Sequence, residues 1–259
     1  MKLLHALVLI LAGSLTAAAQ QPKTQPRDFS EHEGWQQLFD GKTLNGWEGE
    51  PQVWRVQDGA IIGEFNTPEG TRNGQTFLVL KDPKPADFEL KLEIKLEGKD
   101  ADSGIQYRSY VAPPNPPRPG VPPSPQHDPR FNLGGYQFDF NFVSCPPGCL
   151  AEGGPNGRGV IANLGQMVRA ESHVTPRVVA EMGTFDSLAS YFRKDDWNEV
   201  HIIARGRQIT QIINGHVMAI LIDDDPAHFR ADGLIGLQAA GSGHQKISFR
   251  NIWLKEYAH

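Results

Sequence analysis

The chain has 259 residues, a formal net charge of −5 and 39% hydrophobic residues, which is the balance of a folded globular protein. Its Lys and Arg residues form no cluster, and the net charge is negative, so nucleic acid and anionic membrane surfaces are poor candidates for partners. A neutral ligand fits this balance better.

The N-terminus has the pattern of an export leader. Lys2 precedes an apolar run at residues 3–12, and three alanines follow at residues 17–19. This pattern predicts a signal peptide over residues 1–19. The run is too short for a membrane span, which takes about 20 apolar residues. We therefore expect an exported protein, periplasmic or secreted, with no membrane span.

The rest of the chain predicts a tail and one all-β domain. Residues 20–33 are polar and aperiodic, which indicates a flexible N-terminal tail, and a single domain is expected over residues 34–257. Short strand-like runs lie at residues 53–65, 76–80, 104–110, 135–142, 159–164, 234–239 and 247–256. Many strands at close spacing, separated by Gly and Pro, predict a β-sandwich or jelly roll.

Residues 87–97 give the clearest strand signal. Apolar and charged side chains alternate strictly there, which indicates a strand with one buried and one solvated face. The side chains predicted to face the core between two antiparallel sheets are Phe88, Leu90, Leu92, Ile94 and Leu96. The opposite face, which holds Glu89, Lys91, Glu93 and Lys95, is predicted to face water.

Two segments interrupt this pattern of strands. Residues 113–129 contain nine prolines, which prevent ladder hydrogen bonds and predict an extended insertion at a rim of the sandwich. It is either a surface loop or a wall over a site. Cys145 and Cys149 flank a Pro-Pro-Gly sequence in what reads as a tight loop, and in an oxidising compartment we expect them to form a disulfide.

Further along the chain, the sequence predicts one helix and one hairpin. Residues 185–193 have helical spacing, with Asp186 as the expected cap, so one short helix is predicted. Residues 197–223 hold two apolar runs separated by Asn214-Gly215, a dipeptide that tolerates positive φ at both turn positions. A β-hairpin is expected there.

Polar side chains alternate with aromatic ones in two of the predicted strands. Gln137, Asp139 and Asn141 share one face of their strand, and Gln106 and Arg108 share one face of another. Such a row of amides and a carboxylate can line a sugar groove. If the strands are neighbours, Arg108 approaches Asp139. The alternative is an ordinary solvated sheet face.

Two-carboxylate glycoside hydrolysis is poorly supported by the sequence alone. β-Sandwich glucanases carry a Glu-x-Asp-x-Glu row, whereas here Gln137 and Asn141 stand at the two Glu positions. The histidines lack metal-binding spacing. His201 lies in a strand and reads as structural, whereas His244 follows a Gly-Ser-Gly loop and is the better functional candidate.

Several segments together resemble the 3-keto-disaccharide hydrolase domain family, which has a concanavalin A-like jelly-roll fold. The resemblance extends from Gly34 to Leu254 and rests on the ordered combination of its pieces, none of which is specific alone. These pieces are GWQQLFDGKTLNGW at 34–47, WRVQDG at 54–59, SGIQYR at 103–108, GYQFD at 135–139, WN at 197–198, NG at 214–215, GLQ at 236–238 and FRNIWL at 249–254.

The resemblance implies cleavage of sugars oxidised at C3, by 1,2-elimination and hydration of the resulting 3-keto-2-hydroxyglucal. Such a site needs a base, an electrophile at the ketone oxygen and an acid for the leaving group. The implied roles are base or ligand of a divalent metal ion for Asp139, oxyanion partner for Arg108, and hydroxyl-binding amides for Gln137 and Gln238, with Gln106 and Asn141 beside them.

One departure from the family bears on the site. Many relatives have a His two residues after the Gln of the Gly-Leu-Gln motif, where this chain has Ala240. If that His is functional in the relatives, His244 must replace it here. The main alternative is a non-catalytic, lectin-like carbohydrate-binding module, and either way the expected ligand is a small sugar or an oligosaccharide.

Overall fold

The computed structural model describes residues 28–114, 125, 127–141, 145–172 and 175–258, apart from the side chains of Cys145 and Pro146. The chain divides into two units, residues 1–31 and 32–259. Residues 28–31 of the first unit form a turn. The predicted signal peptide, residues 20–27 of the tail and most of the proline-rich insertion lie outside the described residues.

The described part of the second unit consists of strands, one short α-helix and a 3₁₀ turn at Pro129–Phe131. The strands are β1 (Gln36–Gln37), β2 (Trp47–Glu48), β3 (Trp54–Gln57), β4 (Ala60–Phe65), β5 (Arg72–Leu80), β6 (Phe88–Glu97), β7 (Ala101–Val111), β8 (Leu133–Asn141), β9 (Cys145–Gly153), β10 (Gly159–Ala162), β11 (Gln166–Ala170), β12 (Arg177–Glu181), β13 (Asn198–Arg205), β14 (Gln208–Ile213), β15 (His216–Asp223), β16 (Leu234–Ser242) and β17 (Gln245–Glu256). The α-helix, α1, is Phe185–Ala189.

Within these described residues the strands form two sheets. The ten-stranded sheet has the order β12-β11-β15-β14-β13-β6-β17-β4-β3, with β1 also paired to β17. The seven-stranded sheet has the order β10-β9-β8-β7-β16-β5-β2. The pairs are antiparallel except for β11 with β15, which is parallel. The predicted all-β jelly-roll sandwich with a short helix is confirmed.

The core lies between the two sheets. The five apolar side chains predicted to face it from β6 are all buried, 0–1% exposed, as strict alternation requires. Ile105 and Tyr107 of β7 and Phe138 of β8 join the same core from the other sheet. The inward residues of β6 and β8 therefore fix which side chains point outward.

The prediction that the charged face of β6 is solvated is wrong for the first half of the strand. Glu89 and Lys91 are buried. His201 Nε2 lies 2.8 Å from Glu89 Oε2, and Tyr257 also hydrogen-bonds Glu89. The ammonium of Lys91 lies 4.6 Å from the ring centre of Trp35. Aromatic side chains from distant parts of the chain therefore cover this face, which the alternation within one strand cannot show.

The hairpin at Asn214-Gly215 is confirmed. Both residues have positive φ, 48° and 80°, and Ile213 pairs with His216 across the turn. The run before this turn is not one strand but two, β13 and β14, because a second tight turn at Gly206 divides it. Helix α1 is present, but its cap is Thr184, whose hydroxyl accepts from the Ser187 N–H at 3.3 Å, rather than Asp186.

The two cysteines lie in a strand and not in a tight loop. β9 begins at Cys145 and pairs with β8, and the register shift between Asn141↔Cys145 and Asp139↔Cys149 accommodates the intervening Pro-Pro-Gly as an irregularity. Cys149 is buried and disulfide-bonded. The side chain of Cys145 is outside the described part of the chain, so its pairing with Cys149 stays a prediction.

Among the described residues, no helix has the length and apolarity to cross a membrane.

Candidate active site on the outer face of the seven-stranded sheet

The predicted polar row lies at the middle of the seven-stranded sheet. Strands β8, β7 and β16 are neighbours there, with Gln106 paired to Gln137 and to Gly236. Because their apolar side chains enter the core, the polar ones point to the outer face. The residues brought together are Gln106, Gln137, Asp139, Asn141 and Gln238, as predicted, together with Asp102 and Gln75.

The glutamines on this face bind one another. Gln137 Nε2 donates to Asp139 Oδ1 and to Gln238 Oε1, both at 3.1 Å. Gln106 Nε2 and Gln137 Oε1 lie 2.8 Å apart, and Gln238 Nε2 donates to Gln75 Oε1 at 3.3 Å. These amides form a connected network that fixes the Asp139 carboxyl in place.

A glycine makes room for this network. A Cβ at Gly104 would lie 2.3 Å from Gln137 Nε2, so the carboxamide occupies the space that a side chain would take. Gly104 pairs with Asp139 across β7 and β8. We therefore expect any larger residue at position 104 to displace Gln137 from Asp139.

Asp102 is the second carboxyl of this face. It pairs with Asn141, whose Nδ2 donates to Asp102 Oδ2 at 3.0 Å, while Asp139 pairs with Gly104, two residues further along β7. Asp102 and Asp139 are thus diagonal neighbours on one face, a relation in which Cα atoms are about 7–8 Å apart. Their carboxyl groups are close enough to share a monosaccharide-sized ligand.

Burial shifts both acids toward the protonated form, and the charge of Asp139 adds to the shift of Asp102. Burial first, and the Asp139 charge second, raise the pKa of Asp102 to about 7. Burial raises the pKa of Asp139 to about 6, against the lowering effect of its hydrogen bonds from Gln137 and from the Phe140 backbone. The pair therefore holds roughly one proton near neutral pH. One carboxylic acid beside one carboxylate can both donate and accept a proton.

Arg108 does not lie with this group, contrary to the prediction. The pairing of β7 with β8 shifts between Tyr107 and Tyr110, and Arg108 has a positive φ of 45°, so alternation is broken at this bulge. Its buried guanidinium donates instead to the carbonyls of Ala86, at 2.7 and 3.0 Å, and Gly206, at 2.7 Å. Arg108 thereby ties β7 to the end of the ten-stranded sheet.

His244 is also outside the group. It is exposed in the turn between β16 and β17, and its Nε2 lies 3.2 Å from Glu64 Oε1 on β4 of the other sheet. Gln245, which follows it, does reach the site: its Oε1 accepts from the Asp102 backbone N–H at 3.1 Å.

The described end of the proline-rich insertion lies at the β5 side of this face. His127 Nε2 is 2.7 Å from the Asn73 carbonyl of β5, and His127 Nδ1 is 2.7 Å from Glu50 Oε2. Pro125 lies against Gly74 of the same strand. These described residues of the insertion therefore cover part of the β5 edge, which would otherwise be open for pairing.

The face offers oxygen donors of the kind that hard divalent cations bind. They are the carboxyl groups of Asp102 and Asp139 and the amide oxygens beside them. In the part of the chain that the structure describes, no three His, Cys, Asp or Glu side chains come together as a metal site. A bound cation would lower the pKa of both carboxyl groups.

Sequence reasoning missed Asp102, Gln75 and Gln245. The signal for Asp102 was present, because it lies four residues before Gln106 and so on the same face of β7. Gln75 lies one residue before the predicted start of its strand, and Gln245 is the first residue of β17, two residues before the predicted start of that strand. Neither position follows from periodicity.

The fold and this face together define a β-sandwich with a carboxyl- and amide-bearing sheet surface. Residues 34–255 match the model of the 3-keto-alpha-glucoside-1,2-lyase-like domain, and the chain belongs to that family. The match covers nearly all of the second unit, in agreement with the resemblance found in the motifs.

Individual relatives are more distant. A 3-keto-disaccharide hydrolase of Bacteroides thetaiotaomicron is 36% identical over 101 residues, which is 36% of this chain and only 33% of that protein. A solved structure from Parabacteroides distasonis, provisionally described as a glycosyl hydrolase, has a TM-score of 0.51 at 17% identity over 87% of this chain and 95% of its own. The carbohydrate-binding module CBM66 of Bacillus subtilis has a TM-score of 0.49 at 12% identity, over 82% and 96%.

Proposed function

We propose that the protein is a carbohydrate-active enzyme that cleaves 3-keto glycosides by 1,2-elimination and hydrates the product. The observation that carries the proposal is the Asp102–Asp139 pair on one sheet face, held by amides and containing an acid beside a base. Family membership and the name of the Bacteroides relative support the substrate class.

The elimination assigns one proton to each carboxyl. The ketone at C3 acidifies the C2 proton, which the Asp139 carboxylate removes. The C2 electron pair forms the C1–C2 double bond as the C1–O bond breaks, and Asp102 protonates the leaving oxygen. The products are a 3-keto-2-hydroxyglucal and a free alcohol, with Asp139 now protonated and Asp102 ionised.

Hydration returns both groups to their starting states. Asp102 removes a proton from a water molecule as the oxygen adds to C1, and Asp139 returns a proton to C2. The net reaction is hydrolysis, and no external oxidant or reductant is required. Gln137 positions the base by its hydrogen bond to Asp139 Oδ1.

The second carboxyl also favours a different candidate, ordinary hydrolysis of an unoxidised glycoside. Glycosidases use two carboxyl groups about 5–9.5 Å apart, and the diagonal register of Asp102 and Asp139, with Cα atoms about 7–8 Å apart, is compatible with such a pair. Isotope labelling separates the two reactions. In heavy water, elimination and hydration place a deuterium at C2 once the proton taken up by Asp139 has exchanged with the solvent, whereas ordinary hydrolysis of an unoxidised glycoside leaves C2–H intact.

The decisive experiment uses two 3-keto-glucosides, one with a 4-nitrophenol leaving group and one with an alkyl alcohol, each with and without a chelator. Asp139→Asn should lower the turnover of both substrates by about 10²- to 10⁴-fold, the usual contribution of a general base. Asp102→Asn should lose activity mainly on the alkyl glucoside, because nitrophenolate leaves without an acid.

The control is the same chemical change at an exposed turn residue, Asp195→Asn, which should retain full activity. Saturable binding of oxidised and unoxidised sugars without turnover would contradict the proposal and identify a lectin-like binding module. Cleavage of unoxidised glycosides with no deuterium at C2 would identify an ordinary glycosidase. Loss of activity with chelator alone would add a metal ion to the site.

A further inference from the structure

Exposed apolar side chains concentrate at one end of the sandwich. Seven large apolar side chains are exposed in the described part of the chain. Five of them, 36–49% exposed, lie on β10, on β12 or between β12 and the end of the first turn of α1: Val160, Val178, Val179, Met182 and Phe185. β10 and β12 are edge strands of the two sheets, and both contact β11. A clustered patch of this kind indicates an interaction surface.

β12 is an edge strand with both faces uncovered. It pairs with β11 on one side, its other side has no partner strand among the described residues, and all five of its residues are exposed. Val179 has no partner residue in β11. Ala180 and Val178, on either side of it, pair with Met167 and Val168, which are consecutive. Proteins usually protect such edges with charges, bulges or covering loops.

The charges of β12 are arranged symmetrically about its centre. The strand reads Arg-Val-Val-Ala-Glu, with Arg177 two residues before Val179 and Glu181 two residues after it. If two copies pair antiparallel with Val179 opposite Val179, each Arg177 faces the other copy's Glu181. Parallel pairing would instead place like charges opposite each other, which is destabilising.

We propose that β12 pairs with β12 of a second copy of this chain about a two-fold axis at Val179, joining the two ten-stranded sheets into one. Two Arg–Glu pairs set the register, and the exposed apolar side chains of both copies cover one another. An isologous contact of this kind closes at two subunits. The inference is independent of the proposed reaction.

The test is a charge swap read by light scattering during size exclusion. The wild-type protein should have about twice the 28.6 kDa mass of the chain and should dissociate on dilution. Arg177→Glu alone and Glu181→Arg alone each create two like-charge contacts, so each should weaken dimerisation by at least about tenfold.

The double variant Arg177→Glu/Glu181→Arg provides the matched control, because it restores opposite charges across the axis. Within one strand these residues are about 13 Å apart, too far to pair with each other, so recovery of the dimer must come from the second copy. Circular dichroism checks that each variant is folded. A monomeric wild type, or a dimer that the single swaps leave unchanged, would overturn the proposal, as would a folded double variant that stays monomeric.

Discussion

The outer faces of the two sheets both carry charged groups that are shielded from solvent, buried on the ten-stranded sheet and half-buried on the seven-stranded sheet, but they balance those charges differently. On the ten-stranded sheet, Glu89 contacts His201 and Tyr257, and Lys91 lies over the ring of Trp35. On the seven-stranded sheet, two acids lie together among amides.

The first arrangement brings partners of opposite or complementary character together and supports the fold. The second places two acids side by side. Burial first, and the Asp139 charge second, raise the pKa of Asp102 to about 7, and burial raises the pKa of Asp139 to about 6. Such a pair costs stability at neutral pH, and strained electrostatics of this kind concentrate at functional sites. Burial of a charge therefore carries little information until its partners are known.

The largest effect should come from removing one of the two acids. Because the folded pKa of Asp102 is raised from 3.8 to about 7, the folded protein keeps this proton as the unfolded chain loses it, and stability falls as pH rises through that window. Asp102→Asn should remove this fall. Between pH 4 and pH 8, the free energy of unfolding of the variant should rise by a few kcal/mol relative to that of wild type, at about 1.4 kcal/mol per pKa unit.

Urea unfolding at several pH values measures this difference. Each free energy of unfolding is referred to that of Asp195→Asn, an exposed substitution of the same type. A constant difference between Asp102→Asn and wild type from acid to neutral pH would contradict the electrostatic account.

A smaller effect of opposite sign is expected on the other face. Glu89→Gln keeps the shape of the side chain but removes the charge that His201 and Tyr257 contact. We expect the free energy of unfolding to fall by about 1.5–3 kcal/mol, the range for hydrogen bonds to charged groups, and turnover to stay unchanged. A stabilised variant, or one with impaired turnover, would erase the distinction between the two faces.

The smallest effect should come from His244. It is exposed, and its Nε2 lies 3.2 Å from Glu64 Oε1 on the ten-stranded sheet, so solvent screens this contact. His244→Ala should change the unfolding free energy by less than about 0.5 kcal/mol and leave turnover at the wild-type rate. A large loss of turnover would return His244 to the site.

The features of the fold that were predicted correctly are those encoded within one or two neighbouring strands. Strict alternation gave the core face of β6, and Asn214-Gly215 gave its hairpin, because both signals act within one or two strands. The polar row of β8 was placed correctly for the same reason. Asp102 was available to the same reasoning, since it shares the face of Gln106.

The remaining features depend on contacts that no single segment encodes. A bulge at Arg108 breaks the alternation of β7 and turns this side chain away from Asp139. The residue at the bulge is neither glycine nor proline, so the sequence contains no local signal for it. Trp35 covers Lys91 from a segment more than fifty residues away. β9 pairs despite its two prolines, because the irregularity between Cys145 and Cys149 absorbs them.

The proposed chemistry depends on Asp102 and Asp139 sharing roughly one proton near neutral pH. Carbon-13 NMR titration of the two side-chain carboxyl carbons, assigned with the Asp102→Asn and Asp139→Asn variants, tests it most directly. We expect two steps, near pH 6 and near pH 7, with each carbon responding to both. Two independent titrations near the ordinary aspartate value of about 3.9 would contradict it.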